Sequence, residues 1–369
     1  MLGQHYRVGD KKFLNAYAGL YESAKTGQYC DFVLPQYHID QFLTVDVPSL
    51  KNYSSKDLMK QKLAQLRDEN NRVRLNYSGG NDSHTILLIA QEMGIEFDCI
   101  FMYTNSILED SNVEYEYCSA IEYGKTTGMD FVLHRPSISD FETVWKDKLS
   151  FTKINDFYHG FAPHFSELYF KDYEKDYLEI LGNDKPRYYC KDDVYYWIIT
   201  DNSDWGLHTE HEDFFLGSKF PELAVKQVLL GVDYLKKYYP SKQGFIDCKM
   251  LDVESFSRYL NIQKGIDNKI RKTNKDHHEF GYLNEKHRRS LTQMLQLGRN
   301  DIINDWINVS EFIDKSLSDS LFGIEQRSVY IKEINHSVKL TTNTARTGAI
   351  FKILDDSIEL IPHTDINKL

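Results

Sequence analysis

The run Ser78-Gly79-Gly80-Asn81-Asp82-Ser83 constrains this chain more than any other stretch. An apolar segment, Val73-Arg74-Leu75-Asn76-Tyr77, precedes it, and a helical apolar pattern, Ile86-Leu87-Leu88-Ile89-Ala90, follows. The order is strand, tight turn, helix. Glycine reaches backbone angles closed to other residues and lets main-chain N–H groups approach a ligand with no Cβ in the way. Open N–H groups and a positive dipole at a helix N-terminus make an anion site. Ser78 and Ser83 add hydroxyl donors. Asp82 would repel an anion on its own. Its presence makes sense as a carboxylate holding Mg2+, a hard ion that favours carboxylate and phosphate oxygens. The plain alternative is a glycine-rich turn with no ligand.

The flanking pattern repeats. Val73–Tyr77 reads as strand one, and a helix runs from near Asp82 to Gly94, a fitting C-terminal glycine. Phe97–Tyr103 reads as strand two, residues 112–128 as a helix and Phe131–Leu133 as strand three. Strands alternating with helices predict a parallel sheet with right-handed crossovers. Ligands on such sheets bind beyond the carboxyl ends of the strands. Tyr177–Leu181 reads as strand four and leads into Gly182-Asn183-Asp184-Lys185-Pro186-Arg187, which would open on the same rim. An ordinary surface turn explains that second loop equally well, because Gly, Asn, Asp and Pro are turn formers.

Ser-Gly-Gly-x-Asp-Ser after a strand resembles the signature of the PP-loop ATP pyrophosphatases. That superfamily includes asparagine, NAD and GMP synthetases, tRNA thiolases and the phosphoadenylylsulfate (PAPS) reductases. It is not a Walker A loop, which needs Gly-x-x-x-x-Gly-Lys-Ser/Thr. The resemblance implies a Rossmann-like (HUP) parallel sheet with helices on both faces, to which the sequence adds a mainly helical C-terminal region. It implies ATP and Mg2+ as ligands. Ser78, Gly79, Gly80, Asn81, Asp82 and Ser83 would cradle phosphate and metal. Met102, Tyr103 and Thr104, at the end of strand two, would lie near adenine, with Asn105 in their neighbourhood. Asp184 would complete the metal shell begun by Asp82. Lys185 and Arg187 would neutralise the leaving pyrophosphate.

The implied chemistry is adenylation. A carboxylate, amide or base oxygen attacks the α-phosphate, pyrophosphate leaves, and a nitrogen or sulfur nucleophile then displaces AMP. Two other readings stand beside it. One is a PAPS-reductase-like nucleotide-binding protein, the other a catalytically inactive binding module. Gly206-Leu207-His208 matches the tail of the reductase Cys-Gly-Leu-His motif, but Trp205 stands where the thiol belongs. The layout is also similar to PP-loop proteins of tailed bacteriophages, on the segments Gly9-Asp10-Lys11-Lys12-Phe13 and Gln65-Leu66-Arg67-Asp68.

Outside the loop the sequence divides into three parts. Residues 1–70 form an N-terminal extension. Lys12–Tyr21 has helical spacing there, and Ser55–Arg67 reads as a helix capped by Ser55. Residues 71–212 form the nucleotide-binding α/β unit. It includes a hairpin, Arg187–Cys190 with Val194–Ile199, read as a substrate-specificity insertion on the sheet. Residues 213–369 are mainly helical, beginning with Pro221–Tyr239 and closing on a short strand pair, Ala349–Leu354 and Ile358–Ile361.

Charge and cysteine usage narrow the classes. The 55 acidic residues outnumber 44 basic ones, so the chain is a poor general nucleic-acid binder. The basic run from Lys264 to Arg289 is interrupted by Asp267, Asp276, Glu279 and Glu285. It reads first as a solvated helix face. The five cysteines, Cys30, Cys99, Cys118, Cys190 and Cys248, contain no Cys-x-x-Cys pair and read as reduced thiols. His208 and His211, near Glu210, Glu212 and Asp213, offer a metal site if three or four apart on a helix; a solvated loop is the plainer reading. His159 and His164 carry no assignment. A cytoplasmic protein with no membrane span is expected. So is the lack of a built-in glutaminase domain, since the chain opens Met1-Leu2 and not with a cysteine. The partners implied are ATP and a small-molecule or nucleic-acid-base substrate, and a homo-oligomer is compatible with the reading.

Overall fold

A computed structural model describes residues 5–13, 22, 26, 28, 30–103, 120–134, 177–182, 186–200, 211–246, 328–331, 336–339, 347–362 and 369. The fold is α/β, built on a five-stranded parallel sheet. Its strands are β4 (Arg72–Asn76), β5 (Cys99–Tyr103), β6 (Phe131–His134), β7 (Tyr177–Leu181) and β10 (His211–Asp213). They lie in the order β10-β7-β4-β5-β6, and every neighbouring pair is parallel. The chain therefore starts in the middle with β4, builds outward through β5 and β6, then returns to the other side of β4 with β7 and β10. The order reverses between β4 and β7. Connections on the two sides leave β4 and β7 in opposite directions, the arrangement at whose carboxyl ends open parallel sheets take their ligands.

Local chemistry explains the elements around this sheet. Helix α2 (Ser55–Glu69) is capped one residue earlier than expected. Ser54, not Ser55, is the N-cap: its hydroxyl accepts from the Asp57 N–H, and the Asp57 carboxylate accepts from the Ser54 N–H. Leu58, Leu63 and Leu66 face the core, as their spacing predicts. Helix α3 (Asn81–Met93) follows the glycine turn and ends at Gly94, which is left-handed with φ 66°. Helix α4 (Pro221–Tyr238) has Pro221 in its first turn, and Pro240 lies beyond its end. Helix α2 packs on both α3 and α4.

The N-terminal strands β1 (His5–Val8), β2 (Lys11–Phe13) and β3 (Cys30–Val33) make a small antiparallel sheet, followed by helix α1 (Gln36–Leu43). The helix expected from Lys12 gives way to strand over Lys11–Phe13. Gly9, at φ 56°, turns the chain so that Val8 pairs with Lys11. Residues 14–21 of that expected helix lie outside the described residues.

The hairpin at 187–200 is not laid on the parallel sheet. Strands β8 (Arg187–Lys191) and β9 (Val194–Thr200) sit inside a second five-stranded sheet, antiparallel throughout. Its order is β11-β8-β9-β14-β15, with β11 (Gly244–Ile246), β14 (Thr347–Ile353) and β15 (Ile358–Leu360). Asp192 and Asp193 close the hairpin at φ 51° and 62°. Two successive positive-φ residues match the strand twist, and Asp tolerates that region. The expected closing strand pair is β14 and β15. It joins β9 across 147 or more residues of chain because one face of the sheet, Tyr195, Trp197, Ile199, Ala349 and Phe351, is buried in the main core. Trp197 stacks on Phe351 and meets Phe42 edge-on. Strands β12 (Ser328–Ile331) and β13 (His336–Lys339) form a separate pair. The rest of the expected helical region, 247–327, lies outside the described residues.

One hydrophobic core joins these parts, running from Tyr6 through Leu75 and Val228 to Ile358. The β10 strand crosses the division expected at residue 212. Among the described residues, no helix is long and apolar enough to cross a membrane.

Candidate functional site

The glycine turn leaves the carboxyl end of β4, the central strand. Tyr77 extends the ladder by donating its N–H to the Phe101 carbonyl at 2.8 Å. Gly79 then takes φ 72°, a value L side chains rarely adopt. Gly80 is the N-cap of α3, with extended angles and no side-chain cap. The first intrahelical bond of that turn runs from the His84 N–H to the Gly80 carbonyl at 3.0 Å. The helix dipole thus points its positive end at the turn.

Two hydroxyls fix the turn from within. Ser83 Oγ accepts the Ser78 N–H at 3.1 Å and lies 3.1 Å from Ser78 Oγ. Ser78 Oγ in turn accepts the Gly80 N–H at 3.3 Å. Ser83 is buried, so it acts on the turn itself more than on anything outside it. Ser78 is exposed, while Gly80, Asn81 and Asp82 are half-buried. Behind the turn, Tyr77 Oη and His84 Nδ1 are 3.0 Å apart, and burial pulls the His84 pKa below its ordinary value.

The second loop comes to the first. Strand β7 pairs in parallel with β4, so Gly182 emerges at the same rim. A Cβ built on Gly182 would stand 2.9 Å from the Ser83 nitrogen and 3.2 Å from the Asp82 carbonyl carbon. Only a glycine lets the end of β7 rest against the first turn of α3. Met102 is fully buried and Tyr103 pairs with His134, so both belong to β5 where it runs past its described pairing with β4. Arg187 is half-buried and opens β8, opposite Ile198. Thr104, Asn105, Asp184 and Lys185 lie outside the described residues.

A charged layer lies beneath the rim. Arg74, Glu179 and His211 are in register across β4, β7 and β10. Paired residues on neighbouring strands share a face, so these three side chains meet. Glu179 Oε2 lies 3.2 Å from Arg74 Nη2 and 2.9 Å from His211 Nε2, while Oε1 accepts from Asn76 Nδ2 at 3.2 Å. Arg72 and Arg74 also lie over the Tyr177 ring, at 5.2 and 5.3 Å. This layer ties together β4 and β7, the two strands between which the order reverses. Its signal in the sequence is a charge inside each apolar run, Arg74 in one and Glu179 in the other.

At its described end the cluster at 208–213 is neither the solvated loop expected there nor a helix face, but a buried strand. His211, Glu212 and Asp213 are successive residues of a strand and alternate in direction. His211 joins Glu179. Glu212 makes a buried ion pair with Lys62 at 2.6 Å. Asp213 accepts the Phe215 and Leu216 N–H groups at 2.9 and 3.1 Å through Oδ1, and burial pushes its carboxyl up to about 6. Among the described residues, no three His, Cys, Asp or Glu side chains gather as a metal site. His208 and Glu210 lie outside the described residues.

Cys99 and Cys190 are buried and unpaired by disulfide. Desolvation pushes the Cys99 thiol up to about 12 and raises Cys190 as well. A thiol held protonated is a poor nucleophile. No protein-family model matches the chain, and no curated protein matches it significantly.

Proposed function

We propose that the chain is an ATP-binding enzyme of the PP-loop type, with a Rossmann-like (HUP) nucleotide-binding unit and the triphosphate seated on the Ser78–Ser83 turn. The observation that carries this reading is the meeting of two glycine loops where the strand order reverses. Gly79 makes the left-handed turn after β4, and Gly182 brings the end of β7 against Ser83. Reversals of strand order of this kind are where open parallel sheets take their ligands. An anion there would meet the N-terminus of α3.

In this reading Ser78, Gly79, Gly80 and Asn81 hold the phosphates on a turn that the buried Ser83 hydroxyl braces, and the main chain at Met102, Tyr103 and Thr104 lies along the base. Asp82, half-buried in the first turn of α3, fits one of the one or two carboxylates by which Mg2+ is usually held beside phosphate oxygens. Asp184 is the second. The ion, when bound, neutralises charge on the triphosphate. The residues align an acceptor oxygen with the α-phosphorus, and the bond from that phosphorus to the bridging oxygen breaks. Lys185 and Arg187 meet the charge of the departing pyrophosphate. A nitrogen or sulfur nucleophile then displaces AMP.

The reductase reading requires a reactive thiol; of the cysteines whose burial is described, Cys99 and Cys190, neither offers one. The test for binding is calorimetric. ATP with Mg2+ should stabilise the wild type by mass action, by about 2.7 kcal/mol at a hundred times Kd. Asp82→Ala should lose most of that gain while unfolding normally without ligand. Equal stabilisation of both proteins would refute the role of Asp82, and none in either would refute the site.

A further inference from the structure

We propose, resting on the nucleotide-binding reading of the turn, that Ala120 is a positioning residue that holds Gly79 in its left-handed conformation. Residues 120–126 form a helix between β5 and β6. Ala120 is fully buried at the described start of that helix. A Cβ built on Gly79 would fall 2.4 Å from the Ala120 Cβ, so the two backbones touch with one methyl group between them. One turn later, Gly124 lies on the same helix face. A Cβ there would fall 2.3 Å from the Phe131 ring on β6. The helix is thus seated at two points, on the sheet through Gly124 and on the glycine turn through Ala120.

Two further contacts come from the same helix. The Tyr123 ring meets His84 edge-on at 4.8 Å, and the Tyr123 hydroxyl donates to Gln91 Oε1 at 2.6 Å. Tyr123 therefore steadies α3 just behind the turn, while Ala120 sets the height of the turn itself. Alanine is the size this requires. Glycine would leave the Gly79 peptide unsupported by a methyl, and any larger side chain would push into it. Protein interiors transmit such a displacement because they are close-packed. The amides of the turn would move off the positions from which they address a phosphate.

The test measures hydrogen exchange over peptides spanning 77–84, together with Mg·ATP affinity, on the full chain. The proteins are wild type, Ala120→Val, Ala120→Gly, Gly79→Ala and the Gly79→Ala/Ala120→Gly pair. Ala120→Val should speed exchange in the turn about tenfold, with β4 and β14 unchanged, and weaken Mg·ATP about tenfold. Ala120→Gly, which removes the supporting methyl, should speed exchange in the turn and weaken Mg·ATP by about threefold each. The pair should recover part of what Gly79→Ala loses, since only the backbone strain at Gly79 then remains. Wild-type exchange in the turn of Ala120→Val would overturn the proposal, as would strict additivity in the pair. If Ala120→Val does not fold, the pair decides. If the wild type binds no ATP, the nucleotide reading falls, and the exchange data still decide the role of Ala120.

Discussion

Gly182→Ala is a one-methyl perturbation whose cost follows from the structure. Gly182 is not among the left-handed glycines, so the alanine meets no backbone strain. The new methyl would lie 2.9 Å from Ser83 N, and 3.2 Å from Asp82 C and Ser83 Cα. All three are main-chain atoms of the first turn of α3. That turn is tied down by the Ser78–Ser83 pair and by Tyr77 with His84, so it cannot yield as a flexible side chain would. Relief requires several tenths of an ångström between β7 and α3, and overpacking of this kind costs about 1–3 kcal/mol. The displacement falls on Asp82 and Ser83, so the loss of ligand-induced stabilisation should exceed the loss of stability. The assay is urea unfolding with and without Mg·ATP. A midpoint shift of the free protein with a smaller ligand increment is the expected result. A wild-type midpoint with a wild-type increment would show that the two loops do not press on each other, and would refute the reasoning.

Three further outcomes are expected. Lys62 is fully buried, 2.6 Å from Glu212 and within 2.9 Å of the Asp213 carbonyl. Lys62→Met strands the Glu212 charge and should cost about 3–5 kcal/mol in urea unfolding, most of it recovered when Glu212→Gln is added. The Asp213 carboxyl is raised to about 6, so its protonated form favours the folded state. That contribution is complete below the unfolded carboxyl pKa and is lost as pH rises through about 6, on the order of 3 kcal/mol in all. Asp213→Asn keeps an acceptor for Phe215 and Leu216, and should flatten the stability difference between pH 4.5 and 7.5; parallel pH profiles for the two proteins would contradict this. Cys99→Ala and Cys190→Ala should leave Mg·ATP binding unchanged, because both thiols are buried away from the turn. A loss of binding in either would contradict this.

The parallel core was legible because its signals are local. The glycine pair, the Gly94 stop and the apolar runs at 97–103 and 177–181 each announce an element without help from distant chain. The pairing of Gly182 with the first loop was legible only as a shared rim. Contact between them depends on β7 lying beside β4, which no local pattern states. The second sheet was missed for the same reason. Its hairpin and its closing pair are each readable, but β9 and β14 join across most of the C-terminal half, on the strength of Trp197 and Phe351 stacking. His211, Glu212 and Asp213 read as a solvated loop because charged side chains suggest exposure, while the buried partners Glu179 and Lys62 that let them sit in a core strand are distant in sequence. Lys12 and Phe13 read as helix because their spacing is helical, but Gly9 closes a hairpin that outweighs it.

The most direct measurement of the central claim is the product of ATP turnover. Protein, Mg2+ and ATP are incubated with a small-molecule cell extract, and the nucleotides and phosphates are separated and counted. Adenylation yields AMP and pyrophosphate in equal amounts, absent with Asp82→Ala, and a consumed acceptor that mass spectrometry can trace. ADP and phosphate, or no turnover of ATP in the presence of any extract, would contradict it.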